Sequence, residues 1–343
     1  MTSKDKILIG LVDADLLNGG TRHPNLVLLK LAGFLTDNAI PFRLIIDKDE
    51  NIMEYTTIYM SKVFSFTPDP PFYEKVKKTP NENKFKIGGT GDYAIKKDIK
   101  DFKSSRTRDM NQLENDIFLN NYPNKRGGKK KWGIDMCRQM PYYHLYDEYI
   151  QSKIKAGRKK SYFNDYLYYS IGFLTRGCIR HCPFCVNKLE NKVYRYSELE
   201  WFLDDERNEK GDLIRPYIYL WDDNFLAAPK EIWQPMLQSL IDSKRPFQFR
   251  QGLDERILAE SEDGEEIAQM LSKCKYHGDF IFAFDNWRDR DKIIKALKIW
   301  KRHNSKRGTK FYLFCGYTLK SGEDEKLYNG LVRNSIKLLS RPC

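Results

Sequence analysis

Short apolar runs, the length of buried strands, recur along this chain between polar turns. Residues 7–12 form the first, ending at Asp13. A polar loop at 18–25 leads to residues 26–35, whose leucines recur at helical spacing with Asn25 placed to cap the first turn. Residues 42–46 and 59–64 read as further strands. A strand-like piece at 84–86 precedes the glycine cluster Gly88-Gly89-Thr90-Gly91, whose backbone suits close approach to a phosphate or cofactor, or a plain tight turn. Strand, helix, strand, strand at this spacing predicts a Rossmann-like layer.

From about residue 165 the rhythm becomes regular. Strands are expected at 171–175, 217–221, 247–251, 280–284 and 311–315. Helices are expected at 197–205 (where Ser197 and Glu200 form a capping box), from Pro229, at 265–274, at 289–302 with Ile293, Leu297 and Trp300 on one face, and at 323–339. Five strands alternating with helices predict a partial parallel barrel, with its chemistry at the carboxyl ends of the strands. Those ends carry Cys178, Cys182 and Cys185, then Asp222, Asp223 and Asn224, then Arg250 and Gln251, Asp285 and Asn286, and Cys315. The fold expected is therefore α/β: a Rossmann-like domain over 1–135, a linker at 136–164 and a five-stranded partial (β/α) TIM-type barrel over 165–343.

Composition narrows the function classes. At 343 residues, 41% hydrophobic, the chain supports two packed cores and does not read as disordered. No run of 18 apolar residues offers a membrane span, and the first residues lead into a strand without the apolar stretch of a signal peptide, so a cytoplasmic protein is expected. The formal charge of +12 is concentrated: residues 96–131 hold 11 Lys/Arg against 5 Asp/Glu, and Lys153, Lys155, Arg158, Lys159 and Lys160 follow. Such a surface reads either as a solvated insertion or as a nucleic-acid or polyanion contact.

The densest chemistry is the run Gly177-Cys178-Ile179-Arg180-His181-Cys182-Pro183-Phe184-Cys185. Three thiolates within eight residues can hold three irons of a cubic cluster and leave the fourth without a protein ligand. Zinc is the competing reading, with His181 as a fourth ligand, although zinc sites usually draw a second ligand pair from a distant segment. Cys274, Cys315 and Cys343 show no paired spacing, and seven sparse cysteines do not make a disulfide framework.

On these residues the chain resembles the radical S-adenosylmethionine (SAM) superfamily over about residues 165–340. The likeness is carried by Leu174-Thr175-Arg176-Gly177-Cys178, the C-x3-C-x2-C loop with Phe184 before its last cysteine, Trp221-Asp222-Asp223-Asn224-Phe225 and Gln251-Gly252-Leu253-Asp254. The N-terminal half is similar to the cobalamin-binding-like domain that precedes the barrel in one branch, through Thr21-Arg22-His23-Pro24-Asn25-Leu26 and the glycine cluster. The resemblance implies a [4Fe-4S] cluster on Cys178, Cys182 and Cys185, with SAM chelating its open iron. A one-electron reductant of the flavodoxin or ferredoxin type would drive cleavage of SAM to methionine and a 5′-deoxyadenosyl radical, which abstracts hydrogen from a substrate the sequence does not identify. It further implies Asp222, Asp223 or Asn224 at the SAM amino group, Gln251 and Asp285 at the ribose, and Phe184 beside adenine.

The chain departs from the pattern in three ways. The Asp-x-His-x-x-Gly signature of cobalamin's lower histidine is absent, since His23 is followed by Pro24. Asp-Asp-Asn replaces the usual glycine-rich edge. Five strands are expected where the superfamily's core has six. Two other functions fit the same residues: a radical SAM modification of RNA or another polyanion, using the basic segments, and a non-catalytic iron–sulfur or zinc sensor or scaffold.

Overall fold

A computed structural model describes residues 7–89, 135–182, 185, 187 and 191–313. Phe184, Thr90 and Gly91, the basic segment 96–131, Cys315 and the helix expected at 323–339 lie outside the described residues. The chain divides into two compact units, residues 1–171 with 200–216, and residues 172–199 with 217–343. Both are mixed α/β with parallel strand pairing.

In the first unit, β1 (Ile9–Asp13), β2 (Phe42–Leu44), β3 (Thr57–Ser61) and β4 (Phe85–Gly88) form one parallel sheet in the order β2-β1-β3-β4. β1 is central and wholly buried, so it reads as continuous apolar sequence. Its side chains alternate between two cores. Ile9 and Leu11 pack with α2 (Leu26–Asp37), while Val12 faces Ile45, Ile58, Met60 and Phe72. Asn25 caps α2 as expected, its Oδ1 accepting from Leu28 N at 3.3 Å. A short helix α1 (Ala14–Gly19) follows β1 directly, capped by Asp13 through Leu16 N at 3.1 Å.

Within the stretch expected as a linker, 136–164, several side chains belong to a core. Met136, Tyr143, Leu145, Tyr146, Tyr149, Ile150 and Phe163 are buried with α2 and β1. Its basic tail hides this in the sequence, but its tyrosines carry enough apolar area to fix it to the sheet. Residues 200–216 join the same unit because the Tyr143 hydroxyl donates to Phe202 O (2.7 Å) and buried Arg215 donates from Nη2 to Tyr143 O (3.3 Å).

In the second unit, β8 (Tyr217–Leu220) and β9 (Phe247–Phe249) pair in parallel, as do β10 (Phe280–Phe284) and β11 (Thr309–Leu313). A parallel bridge, Leu253 to Phe282, links the two pairs. Trp221 N donates to Gly172 O at 2.9 Å, bringing the end of β5 (Tyr169–Gly172) alongside the end of β8. Helices Lys230–Asp242, Gly264–Lys273 and Arg290–Asn304 lie between strands, near the positions their periodicity predicts. Ile293 and Trp300 are buried on the last of these, whereas Leu297 is only partly so, because Ala296 and Ile299 take the inward positions.

Two local expectations fail. The strand expected at 171–175 breaks after Gly172, and Thr175–Arg176 (β6) pairs antiparallel with Tyr194–Arg195 (β7). The helix expected at 197–205 reduces to a 3-10 turn, Leu199–Trp201. Ser197 Oγ donates to Glu198 O rather than capping, and Glu198 is held by Arg195 at 2.6 Å. Among the described residues, no helix is long and apolar enough to cross a membrane.

Candidate functional site

The cysteine loop leaves β6 and returns at β7, so a two-residue antiparallel ladder closes its base. Gly177 makes the exit. Its φ of +90° suits glycine, and a Cβ there would run into the Lys192 carbonyl. Arg180 N donates to Cys178 Sγ at 3.3 Å, and Asn187 N to Cys185 Sγ at 3.4 Å. A turn bond from Cys185 N to Cys182 O (3.0 Å) brings the last two cysteines together. Burial, reinforced by the Asp285 carboxylate, pushes the Cys182 thiol up, with nearby Arg256 acting against it. Burial also raises Cys185, Asn187 N–H opposes it, and Cys178, Asp223 and Asp285 add to the rise. Cys182 and Cys185 therefore share an electrostatic neighbourhood with Cys178 and the Asp285 carboxylate, though among the described residues no group of three His, Cys, Asp or Glu side chains is placed to hold a metal ion.

The turn after β8 anchors this loop. Asp222, 1% exposed, accepts from Leu174 N (3.2 Å), Thr175 N (2.6 Å) and Thr175 Oγ1 (2.7 Å). Burial pushes its carboxyl up to about 7 against the pull of those bonds. Asp223 Oδ2 accepts from Gly177 N (2.9 Å) and its Oδ1 from Asn187 Nδ2 (2.7 Å). Both aspartates thus hold the ends of the cysteine loop, and all four of their oxygens are engaged within the protein.

Asn224 differs. It is 5% exposed, and its Nδ2 donates to Cys178 Sγ (3.5 Å) and Asp254 Oδ2 (3.2 Å). Its Oδ1 is buried without a hydrogen-bond partner among the described residues. A buried acceptor left open carries a desolvation cost that a bound donor would relieve.

Residues not nominated by the sequence complete the surroundings. Asp254, 8% exposed, takes Arg180 Nε on Oδ2 (2.7 Å) and Arg256 Nε on Oδ1 (2.6 Å). Burial pushes Asp254 up, but the Arg256 and Arg180 guanidinium groups outweigh it and hold its carboxyl below the ordinary value. Arg180 continues to Glu260 (2.6 Å) and Arg256 to Asp289 (2.7 Å). This arginine cage fixes the middle of the cysteine loop to the chain beyond β9. The signal was present in part, since Asp254 closes the quoted run Gln251–Asp254 and Arg180 sits inside the motif. Glu255, fully buried, accepts from Ala283 N through Oε2 (3.2 Å), and burial pushes it up to about 8.

Of the two ribose candidates, Asp285 is partly buried in the field of Cys182 and Arg256, and burial raises its carboxyl. Gln251 is exposed on the turn after β9, and none of its described contacts joins it to the cysteines. In the first unit, His23 is paired with Asp165.

The chain matches no protein-family model, and no curated protein matches it in sequence.

Proposed function

We propose that this protein is a radical SAM enzyme, with a [4Fe-4S] cluster on Cys178, Cys182 and Cys185 and SAM at the cluster's open iron. The observation carrying this reading is the C-x3-C-x2-C loop, with backbone N–H groups donating to two of its three sulfurs. Such donors stabilise the negative charge of cluster-ligating thiolates and tune the potential of the centre. When bound, the cluster and SAM supply a 5′-deoxyadenosyl radical by one-electron reductive cleavage.

The protein's residues bind, orient and exclude water. Asp222 and Asp223 tie the loop's ends by hydrogen bonds. Arg180 ties its middle to Asp254 and Glu260. Asn224, the one residue of the Asp-Asp-Asn edge with an open buried acceptor, is assigned to the SAM amino group. The parallel pairs β8–β9 and β10–β11, with β5 beside β8, support a barrel of the superfamily's kind, and the parallel sheet of the first unit supports a Rossmann-like domain before it. An oxygen-sensitive cluster fits a reducing cytoplasm, with a flavodoxin- or ferredoxin-type reductant as partner.

The test is anaerobic reconstitution with iron and sulfide, followed by dithionite and SAM, with 5′-deoxyadenosine as the readout. Product from the wild type and none from Cys182→Ala is the expected result. Zinc retention with no iron–sulfur absorbance after reconstitution would overturn the proposal.

A further inference from the structure

The first unit contains a cavity of about 270 Å³ that the proposed chemistry does not use. Leu16 and Gly20 on one wall follow the carboxyl end of β1, and Lys48 follows that of the adjacent β2. In open α/β sheets, ligands bind outside the carboxyl ends of strands. Phe163 forms an apolar surface, flanked by Tyr149 and Tyr162. The two tyrosine hydroxyls come within 3.2 and 3.8 Å of where a Cβ would sit at Gly20, whose φ is +85°. Neither hydroxyl has a hydrogen-bond partner among the described residues. The wall is thus built from converging ring tips and a residue without a side chain.

The lining carries three cations, Lys48, Lys153 and Arg158, and no carboxylate. Among the described residues none of the three has an ion-pair partner. Elsewhere in the same unit cations find carboxylates: Lys62 and Lys77 share Asp69 (3.0 and 2.6 Å), and Arg215 takes Asp204 (2.6 Å). At the cavity aromatic faces position two of them instead, Lys153 5.4 Å from the Tyr149 ring centre and Arg158 4.7 Å from that of Tyr162. Arg22, 5.8 Å from the same Tyr162 centroid, adds a fourth charge beside the rim. Like charges gathered around one concavity repel, and a dianion removes that repulsion while accepting their hydrogen bonds.

We propose that this cavity binds a small organic phosphate, its dianion among Lys48, Lys153 and Arg158 and its flat or apolar body against Tyr149, Tyr162 and Phe163. The volume suits a phosphate with a compact body, and it lies just below the range of drug-sized sites, about 300–1,000 Å³. This site shares no residue with the cysteine loop, so it stands or falls independently of the radical reading.

Titration calorimetry on the full chain at low salt tests it with three probes: phenyl phosphate, inorganic phosphate and a short single-stranded oligoribonucleotide. Saturable one-site binding of phenyl phosphate, tighter than inorganic phosphate, is expected. Lys153→Gln and Arg158→Gln should each weaken it about tenfold, the loss of one charge-assisted contact. Lys159→Gln and Lys160→Gln, in the same basic run but outside the cavity, should leave it within about twofold. All four positions are exposed, and circular dichroism checks that each variant folds. No saturable binding of phenyl phosphate would overturn the proposal. So would equal losses at all four positions, or oligoribonucleotide binding that phenyl phosphate does not displace.

Discussion

Replacing Asp254 by Asn tests whether the arginine cage holds the cysteine loop. The change keeps the side chain's shape and removes its charge from between Arg180 Nε at 2.7 Å and Arg256 Nε at 2.6 Å. The Asp254 side chain is 7% exposed and the two arginines 22% and 12%, so solvent does little to screen the loss. Removing one partner of a buried pair costs roughly 3–5 kcal/mol. Each arginine keeps a second carboxylate, Glu260 or Asp289, which favours the lower end, about 3 kcal/mol. With an m-value of about 2–3 kcal/mol/M, the urea midpoint at pH 7, followed by tryptophan fluorescence, should fall by about 1 M. The pH profile supplies a sharper check. Because the folded Asp254 carboxyl lies below its ordinary value, its contribution is present above the unfolded value and is lost only as pH falls through the folded one. The gap between wild type and variant should therefore be flat from pH 8 to 5 and narrow only below about pH 4. Iron retained after reconstitution should fall in parallel, since Arg180 lies between Cys178 and Cys182. Unchanged stability at pH 7 would refute the reasoning, as would a gap that closes between pH 8 and 5, which would trace the coupling to Glu255 or Asp285.

Glu255→Gln should act in the opposite sense. A carboxyl raised to about 8 by burial contributes stability that is full below its ordinary value of 4.5 and lost as pH rises through 8. Urea titrations should then show the wild type losing ground to the variant between pH 5 and 8, by up to about 1.4 kcal/mol per pH unit. Gly177→Ala should lower the melting temperature through a left-handed conformation costing about 1–2 kcal/mol and a collision with the Lys192 carbonyl. Asn224→Ala removes the donor to Cys178 Sγ, so a reconstituted cluster should titrate at a more negative potential. An unchanged potential would exclude Asn224 from the ligand environment.

The sequence by itself determined the elements whose signal is periodic and local. The strand expected at 280–284 is Phe280–Phe284, Asn25 caps its helix, and helices follow the expected spacing at Gly264–Lys273 and Arg290–Asn304. Alternation, caps and turn residues act over a few neighbours, which is why they can be read along a line. The three cysteines were legible for the same reason, because their spacing is itself local. Tertiary structure decided what depends on distant partners. β6 and β7, two residues each, carry no periodicity, and their pairing exists only once the chain between them has closed. Asp222 and Asp223 stood in the sequence as cofactor candidates, but burial beside Thr175 and Gly177 commits their oxygens to backbone N–H groups, the Thr175 hydroxyl and the Asn187 amide, and leaves Asn224 with the open acceptor. Asp254 meets Arg180 across 74 residues, and Arg215 meets the Tyr143 carbonyl across 72, drawing 200–216 into the first unit. Which polar groups end up buried together follows from how the apolar faces pack. A buried polar group must then bond to whatever packing has placed beside it, and no local pattern encodes that neighbour.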